Sequence, residues 1–431
     1  MTKEEIDLLH GRYLETLKEV QAPGLEGIDI SRVLHNQCYY ALTRGTKYKK
    51  LNGLAFFFLK RETINYSGEG SDLLMYSEAY PRRDHREYWT KLKSLFDEKD
   101  VLEFTNLGKP NLLKCVDLGH MPRKIKYYNA YKKALSGIPD KVNRKYLAVQ
   151  LAWSHEFLLQ VKKLNLKPKV AMCFFDSGIH ESLLVQYFRS LGVKTVTNQH
   201  GQPLFRSKEH DRMNQSQILN FNSDYFIAKG GFTARQFYAA GFDEKRIKTL
   251  GGFGNPAAEY RKEAKHAFGL FPDTPNYAFA AKSNIELIKL ANEISERTGS
   301  KYFIKVHPTD DINKYTEYLG KNAEVVEKNY DLKKVFKEID FGLFYASAIY
   351  VDMLNNSVKS FQYSGEESFP IVENEEDKIA SAEEFEIKYA AWDVKSEAAQ
   401  ADYLNNTRKQ YCDAEGAEDR IKAFVNGLLN E

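Results

Sequence analysis

The chain has 431 residues, 43% hydrophobic and 28% charged, values ordinary for a globular protein that exclude wholesale disorder, a collagen-like repeat and a polytopic membrane protein. Lys plus Arg number 62 against 59 Asp plus Glu, a formal net charge of +3, which gives no support to broad electrostatic binding of nucleic acid. At about 150 residues per domain the length predicts two or three domains. The cysteines Cys38, Cys115, Cys173 and Cys412 form no CxxC pair. Neither a zinc site nor a disulfide framework is indicated, and a reduced compartment fits. The start, MTKEEIDLLHGRYLETLKEV, lacks the apolar h-region of a secretory signal. The most apolar run, Leu54 to Leu59, falls far short of the ~20 residues that span a bilayer, so a soluble cytoplasmic protein is expected.

In chain order, the first 50 residues read as helical: Ile6, Leu9, Tyr13, Leu14 and Leu17 recur at helical spacing, and Pro23-Gly24 stops the pattern. LAFFFL (Leu54 to Leu59) reads as strand-like, and so does DLLMY (Asp72 to Tyr76). Asp84 to Phe96 reads as a helix, and residues 122–165 as mostly helical. The alternation then sharpens: strand Lys169 to Phe175, helix Ile179 to Leu191, strand Lys194 to Thr197, strand Asp224 to Ala228, helix Thr233 to Ala240, strand Ile247 to Leu250. After the Pro-rich Phe271-Pro272-Asp273-Thr274-Pro275 it restarts: strand Tyr277 to Ala281, helix Ile285 to Glu296, strand Tyr302 to Val306, helix Asp331 to Glu338, strand Phe341 to Phe344, helix Ala348 to Leu354, strand Val358 to Phe361. The last 40 residues are charged and helical. Strands alternating with helices predict parallel sheets wound by right-handed crossovers. Two doubly wound domains joined near residues 257–275 are expected. Ligands of such sheets lie beyond the carboxyl ends of the strands, and the cleft between two facing domains is the default site.

Several strand ends carry polar chemistry. Asp176, after KVAMCFF, suits either a base or the cap of the next helix. His200, in Gln199-His200-Gly201-Gln202-Pro203, is an imidazole on a loop that Gly201 lets turn tightly, well placed for proton transfer near neutral pH. The run Gly251-Gly252-Phe253-Gly254-Asn255-Pro256 offers Gly252 and Asn255 to a phosphate, or is a plain boundary turn. Lys305 and His307, before Pro308, fall on one side of the chain by strand alternation and suit a phosphate or diphosphate. Ser347 at a helix start offers a hydroxyl to an anion, or is an N-cap. Lys282-Ser283 is a further phosphate-contact candidate. The chain has no GxxxxGK[ST] loop, GxSxG elbow, HExxH or clustered Cys/His site.

The QHG-type loop, the KxHP strand end and the Ser-bearing helix start together resemble metal-independent GT-B transferases of bacterial surface polymers. These are capsule glycosyltransferases, bacterial sialyl- and polysialyltransferases and teichoic-acid glycerophosphotransferases. The resemblance spans about residues 169–365. It implies an α/β fold of two Rossmann-like doubly wound domains facing across a cleft, with a largely helical N-terminal extension over about residues 1–50. An acceptor-side domain would cover 1–265, a donor domain 272–390, and a helical tail 391–431 that could cross back. It assigns His307 and Pro308, with Lys305 beside them, to the donor phosphates, and Ser347 to a further phosphate contact. His200 matches the His of an HGTP-like loop in part, the sequence here being HGQP. Asp176-Ser177-Gly178 matches the acidic base motif of the sialyltransferases only loosely.

The implied activity is inverting transfer of a sugar from a nucleotide-sugar donor to a cell-surface polysaccharide or glycolipid, with no metal or other cofactor. The alternatives are transfer of glycerophosphate or sugar phosphate from a CDP-linked donor, and a non-catalytic assembly protein. A sugar-nucleotide epimerase is a minor possibility. Expected partners are the nucleotide-sugar and a saccharide or lipid-linked acceptor. Arg123, Lys124, Lys126, Lys132 and Lys133 mix with aromatics as interfacial helices do, which would suit peripheral membrane contact, or they are a solvated helix face.

Overall fold

The computed structural model describes residues 2–58, 62–78, 83–106, 119–205, 212–213, 215–253, 259–260, 265–273, 278–307, 310–327, 330–365 and 371–431. They fall into two units: Met1–Lys229 with Thr233–Phe253 and Gly416–Glu431, and Gly230–Phe232 with Gly254–Glu415.

The first unit is built on a sheet of β1 (Glu62–Ser67), β2 (Leu73–Glu78), β3 (Asp100–Asn106), β4 (Val170–Cys173), β5 (Lys194–Asn198), β6 (Tyr225–Ala228) and β7 (Ile247–Thr249), in the order β1-β3-β2-β4-β5-β6-β7. Only β1, against β3, pairs antiparallel; the other pairs are parallel. The central strands are buried on both faces, as a covered parallel sheet demands. Leu74 and Tyr76 of β2, with Ala171 and Cys173 of β4, enter one core. Leu73, Met75, Val170 and Met172, one residue out of phase, enter the other. The first core is filled by the N-terminal helices and by Lys141–Lys162, a helix buried almost all round from Tyr146 to Leu158. The second is closed by Ala417–Asn430, whose Ile421, Val425 and Leu428 recur at i, i+4, i+7. The chain beyond residue 391 thus divides: Glu397–Tyr411 belongs to the second unit and Ala417–Asn430 packs on the first sheet.

The second unit carries β8 (Ala267–Phe271), β9 (Lys301–Ile304), β10 (Ala323–Val325), β11 (Phe341–Phe344), β12 (Lys359–Tyr363) and β13 (Lys378–Ile379), all parallel, in the order β10-β9-β8-β11-β12-β13. Leu287, Ile288, Ala291 and Ile294 of the helix Ala278–Thr298 cover one face with Phe268 and Leu270.

Three expectations are corrected. LAFFF is not a strand: residues 54–58 end the helix Thr46–Phe58, and Leu59 lies outside the described residues. A short apolar run does not reveal its period; here Phe56 packs edge-on against Trp153 at 5.5 Å, a helix-to-helix contact. Residues 278–281 are likewise helical, Tyr277 lying outside the described residues. The strand that opens the second sheet is AFGLF, Ala267–Phe271, immediately before Pro272. The proline reads as loop punctuation and masks the strand that it terminates. Finally, the basic stretch at 123–133 is no uniform polar face. Arg123 makes a bidentate pair with Glu156 (2.8 and 2.6 Å), and Lys124 is buried with Nζ 6.0 Å from the Phe56 ring. No helix among the described residues is long and apolar enough to cross a membrane.

Candidate active site

Because β2, β4, β5, β6 and β7 are parallel neighbours, the segments that follow them emerge at one edge. After β5, Gln199 is 1% exposed and ties the loop down: Oε1 accepts from Lys229 N (2.7 Å) and Nε2 donates to the Gly201 carbonyl (2.8 Å). Gly201 has φ +65°, the left-handed region that disfavours any side chain. His200 between them is clamped by Gln217, whose Oε1 accepts from His200 N (3.0 Å) and whose Nε2 donates to His200 O. The ring is half-buried, with Phe174 and Phe175 at 5.5 and 5.0 Å between centroids.

Its ring partner is His85, on the helix Arg83–Ser94 that follows β2. The two Nε2 atoms stand 2.9 Å apart, with the rings edge-on at 84°. One nitrogen must donate and the other accept. If His200 donates, its Nδ1 keeps a lone pair on the more exposed of the two rings; in the reverse tautomer His200 Nδ1 carries the proton. A base at His200 therefore requires His85 as the acceptor that fixes the tautomer. Tyr88, one turn on, extends the wall toward Phe174 (5.4 Å) and Phe253 (4.9 Å), and Lys229 at the end of β6 places Nζ 4.6 Å from the Tyr88 ring. His85 and Lys229 escape the sequence reading. Applying the strand-end rule to β2 and β6 as to β5 would have reached both.

Asp176 stands in a different setting, tied to the backbone. It is 2% exposed, and its Oδ2 accepts from Asn222 N (2.8 Å), Ser223 N (2.9 Å) and Ser223 Oγ (3.0 Å). Burial pushes its pKa above the usual carboxylate range, against those bonds. It ties the end of β4 to the entry to β6. Gly252 is buried, and a Cβ there would stand 2.6 Å from Lys229 Cγ, so its bare backbone makes room for the lysine stem. Asn255 and Pro308 lie outside the described residues.

In the second unit the ends of β9, β8 and β11 are likewise adjacent, which brings residues 305–307, 272–273 and 345–347 to one edge. Lys305 is 9% exposed and donates from Nζ to the Glu327 carbonyl (3.0 Å), burial lowering its pKa. His307 is half-buried, and its carbonyl accepts from Asp310 N (2.8 Å). Ser347 Oγ accepts from Ile349 N (3.3 Å) at the start of Ile349–Asn355. Lys282 is exposed, 3.7 Å from Glu286, whose other oxygen accepts from Tyr363 Oη (3.3 Å). Ser283 is buried beside Asn284, which clamps both backbone groups of Asp273 (2.9 and 3.0 Å). Glu286 and Asn284 carry no strand-end signal, since they lie one helical turn and more into their helix. Among the described residues no cluster of His, Cys, Asp and Glu suits a metal ion.

No protein-family model and no curated protein sequence matches the chain. Solved structures do. The S. aureus MnaA–UDP co-structure matches with a TM-score of 0.52 at 12% identity, over 84% of this chain and 97% of that one. The putative UDP-N-acetylglucosamine 2-epimerase from Listeria monocytogenes matches with a TM-score of 0.51 at 9% identity, over 83% and 96%. The wall teichoic acid polymerase TagF covers 93% of this chain and 97% of its own at a TM-score of 0.41 and 10% identity. At such identities the likeness is one of fold. The chain has the GT-B-type α/β architecture of two wound, largely parallel sheets, the fold that the strand-end motifs led one to expect.

Proposed function

We propose that the chain is a metal-independent inverting glycosyltransferase that moves a sugar from a nucleotide-sugar donor to a saccharide or lipid-linked acceptor of the cell surface. The observation that carries this reading is the His200–His85 pair at the carboxyl edge of the first sheet. His200 Nδ1 takes the proton of an acceptor hydroxyl as its oxygen attacks the anomeric carbon. The carbon–phosphate-oxygen bond breaks on the opposite side, and the nucleoside diphosphate leaves with the electron pair. His85 holds the tautomer, and Gln199, Gly201 and Gln217 hold the loop. The leaving phosphates fall to Lys305, His307 and Ser347, with Lys282 and Ser283 near the start of their helix, as fixed cationic and hydrogen-bonding groups. A second reading, epimerisation of a nucleotide sugar, draws on the fold shared with the putative Listeria epimerase. It needs no acceptor, so product formed from donor alone would replace the first reading with the second.

The test is a melting-temperature screen with UDP, CMP, CDP, GDP and ADP in EDTA on the wild type, His307→Ala and His200→Ala. One nucleotide is expected to stabilise the wild type and His200→Ala but not His307→Ala, since stabilisation follows occupancy of the native state. Glycoside formation is expected in the wild type alone. Absence of any nucleotide response in the wild type defeats both readings.

A further inference from the structure

Of the eleven large apolar side chains that stand exposed among the described residues, five belong to two helices of the first unit: Tyr48, Leu51, Leu54 and Phe58 of Thr46–Phe58, and Ile125 of Met121–Ala134. Leu51 and Leu54 are 56% and 58% exposed. The two helices lie side by side: the Phe57 and Tyr128 rings meet edge-on at 5.3 Å. Both rest on Lys141–Lys162, the first through Phe56 against Trp153 (5.5 Å), the second through the Arg123–Glu156 pair.

Helical spacing puts the apolar residues outside. Lys49, Asn52 and Phe56 recur at i, i+3, i+7 on the inner side, where Lys49 Nζ donates to Asn143 Oδ1 (2.6 Å). Lys47, Leu51, Leu54 and Phe58 recur at i, i+4, i+7, i+11 on the opposite side, all exposed. On the neighbouring helix Lys124 and Tyr131 are buried, and Ile125, Lys126 and Lys133 are exposed. A helix at a protein surface turns its polar stripe outward; here the outward stripe carries leucine and phenylalanine. A contiguous exposed apolar patch of this kind marks an interaction surface.

The charge around the patch selects what covers it. Neither helix contains Asp or Glu. Lys47, Lys50, Lys126 and Lys133 are exposed, and none of them pairs with a carboxylate among the described residues. Exposed Arg44, just before the first helix, adds a further cation over the Tyr40 and Tyr48 rings (5.3 and 5.8 Å). Leucine and phenylalanine flanked by unopposed lysines suit the interface of an anionic bilayer: the apolar groups enter the acyl boundary while the lysine stems reach up to the headgroup phosphates. A second copy fits worse, because a two-fold contact through this face sets lysine against lysine.

We propose that the outer face of these two helices docks the chain on an anionic phospholipid bilayer, with Leu51, Leu54 and Phe58 inserted and Lys47, Lys50 and Lys126 on the headgroup phosphates. The proposal goes beyond the transferase reading and does not rest on it.

Co-sedimentation of the full chain tests this, with vesicles of phosphatidylglycerol and phosphatidylcholine in equal parts against vesicles of phosphatidylcholine alone. Binding to the anionic vesicles is expected to be at least about tenfold tighter and to weaken as salt is raised. Leu51→Gln with Leu54→Gln is expected to weaken it about tenfold or more, and so is Lys47→Gln with Lys50→Gln. All four positions are exposed, so both variants are expected to melt as the wild type does and to keep its nucleotide-induced shift. Failure here and failure of the transferase reading are thus read separately. No binding to anionic vesicles, equal binding to neutral ones, affinity unchanged in either variant, or a solution dimer split by the leucine substitutions in place of vesicle binding overturns the proposal.

Discussion

The carboxyl edges of the two sheets obey one topological rule and handle charge differently. At the first edge the ionisable rings of His200 and His85 face each other across 2.9 Å inside an aromatic wall, and Lys229 lies over Tyr88. At the second, Lys305 is held by a backbone carbonyl, and Lys282 lies near the carboxylate of Glu286. An imidazole nitrogen can either donate or accept a hydrogen bond, whereas a lysine ammonium can only donate. Under the proposed reading the same winding would supply a place to move a proton at one edge and a place to hold an anion at the other, with side chains at equivalent strand ends deciding which.

The sharpest way to break this comparison is to exchange the losses. His200→Ala is expected to lower turnover about 10²–10⁴-fold with nucleotide binding intact, and His307→Ala to weaken nucleotide binding first. Steady-state kinetics beside the melting screen would show it; equal losses of both functions in both variants would erase the distinction.

A second contrast lies inside the first unit, between its helical extension and its sheet. His10, fully buried, donates from Nε2 to the His35 carbonyl (2.7 Å), and burial lowers its pKa from 6.5 to about 4. The folded pKa is depressed, so the neutral ring's contribution is present above pH 6.5 and is lost as pH falls toward 4, where the unfolded chain binds the proton first. The shift corresponds to about 3 kcal/mol. Urea titrations between pH 7 and 4 should show stability falling on acidification, with a shallower slope in His10→Gln. Equal slopes would remove His10 as the source of the acid sensitivity.

The smallest effect belongs to Asp176. Asp176→Asn keeps an acceptor but trades charge-assisted bonds for neutral ones, and is expected to cost about 1–3 kcal/mol of stability. Turnover per folded molecule should stay near the wild type. A loss comparable with that of His200→Ala would return Asp176 to the reaction.

The βα alternation from residue 169 onward was legible because each strand is a short apolar run closed by Gly, Pro or a polar group. For the same reason the loop around His200 stands out in the sequence. The edge pair β1–β3 was not legible, since Glu62–Ser67 and Asp100–Asn106 mix polar and apolar residues without a run. Nor was AFGLF, hidden behind its proline, or LAFFF, where helix and strand share one composition.

Periodicity and punctuation are local properties, so the sequence alone determined the wound α/β class, the loop that carries His200 and the lysine–histidine strand end at 305–307. Which side chains meet is a property of distant segments. Only the tertiary structure decided that His85, 115 residues away, is the partner of His200, and that Asp176 is consumed by the backbone of Asn222 and Ser223. A residue type states what a group can do; burial and the neighbours that folding supplies settle whether it is free to do it.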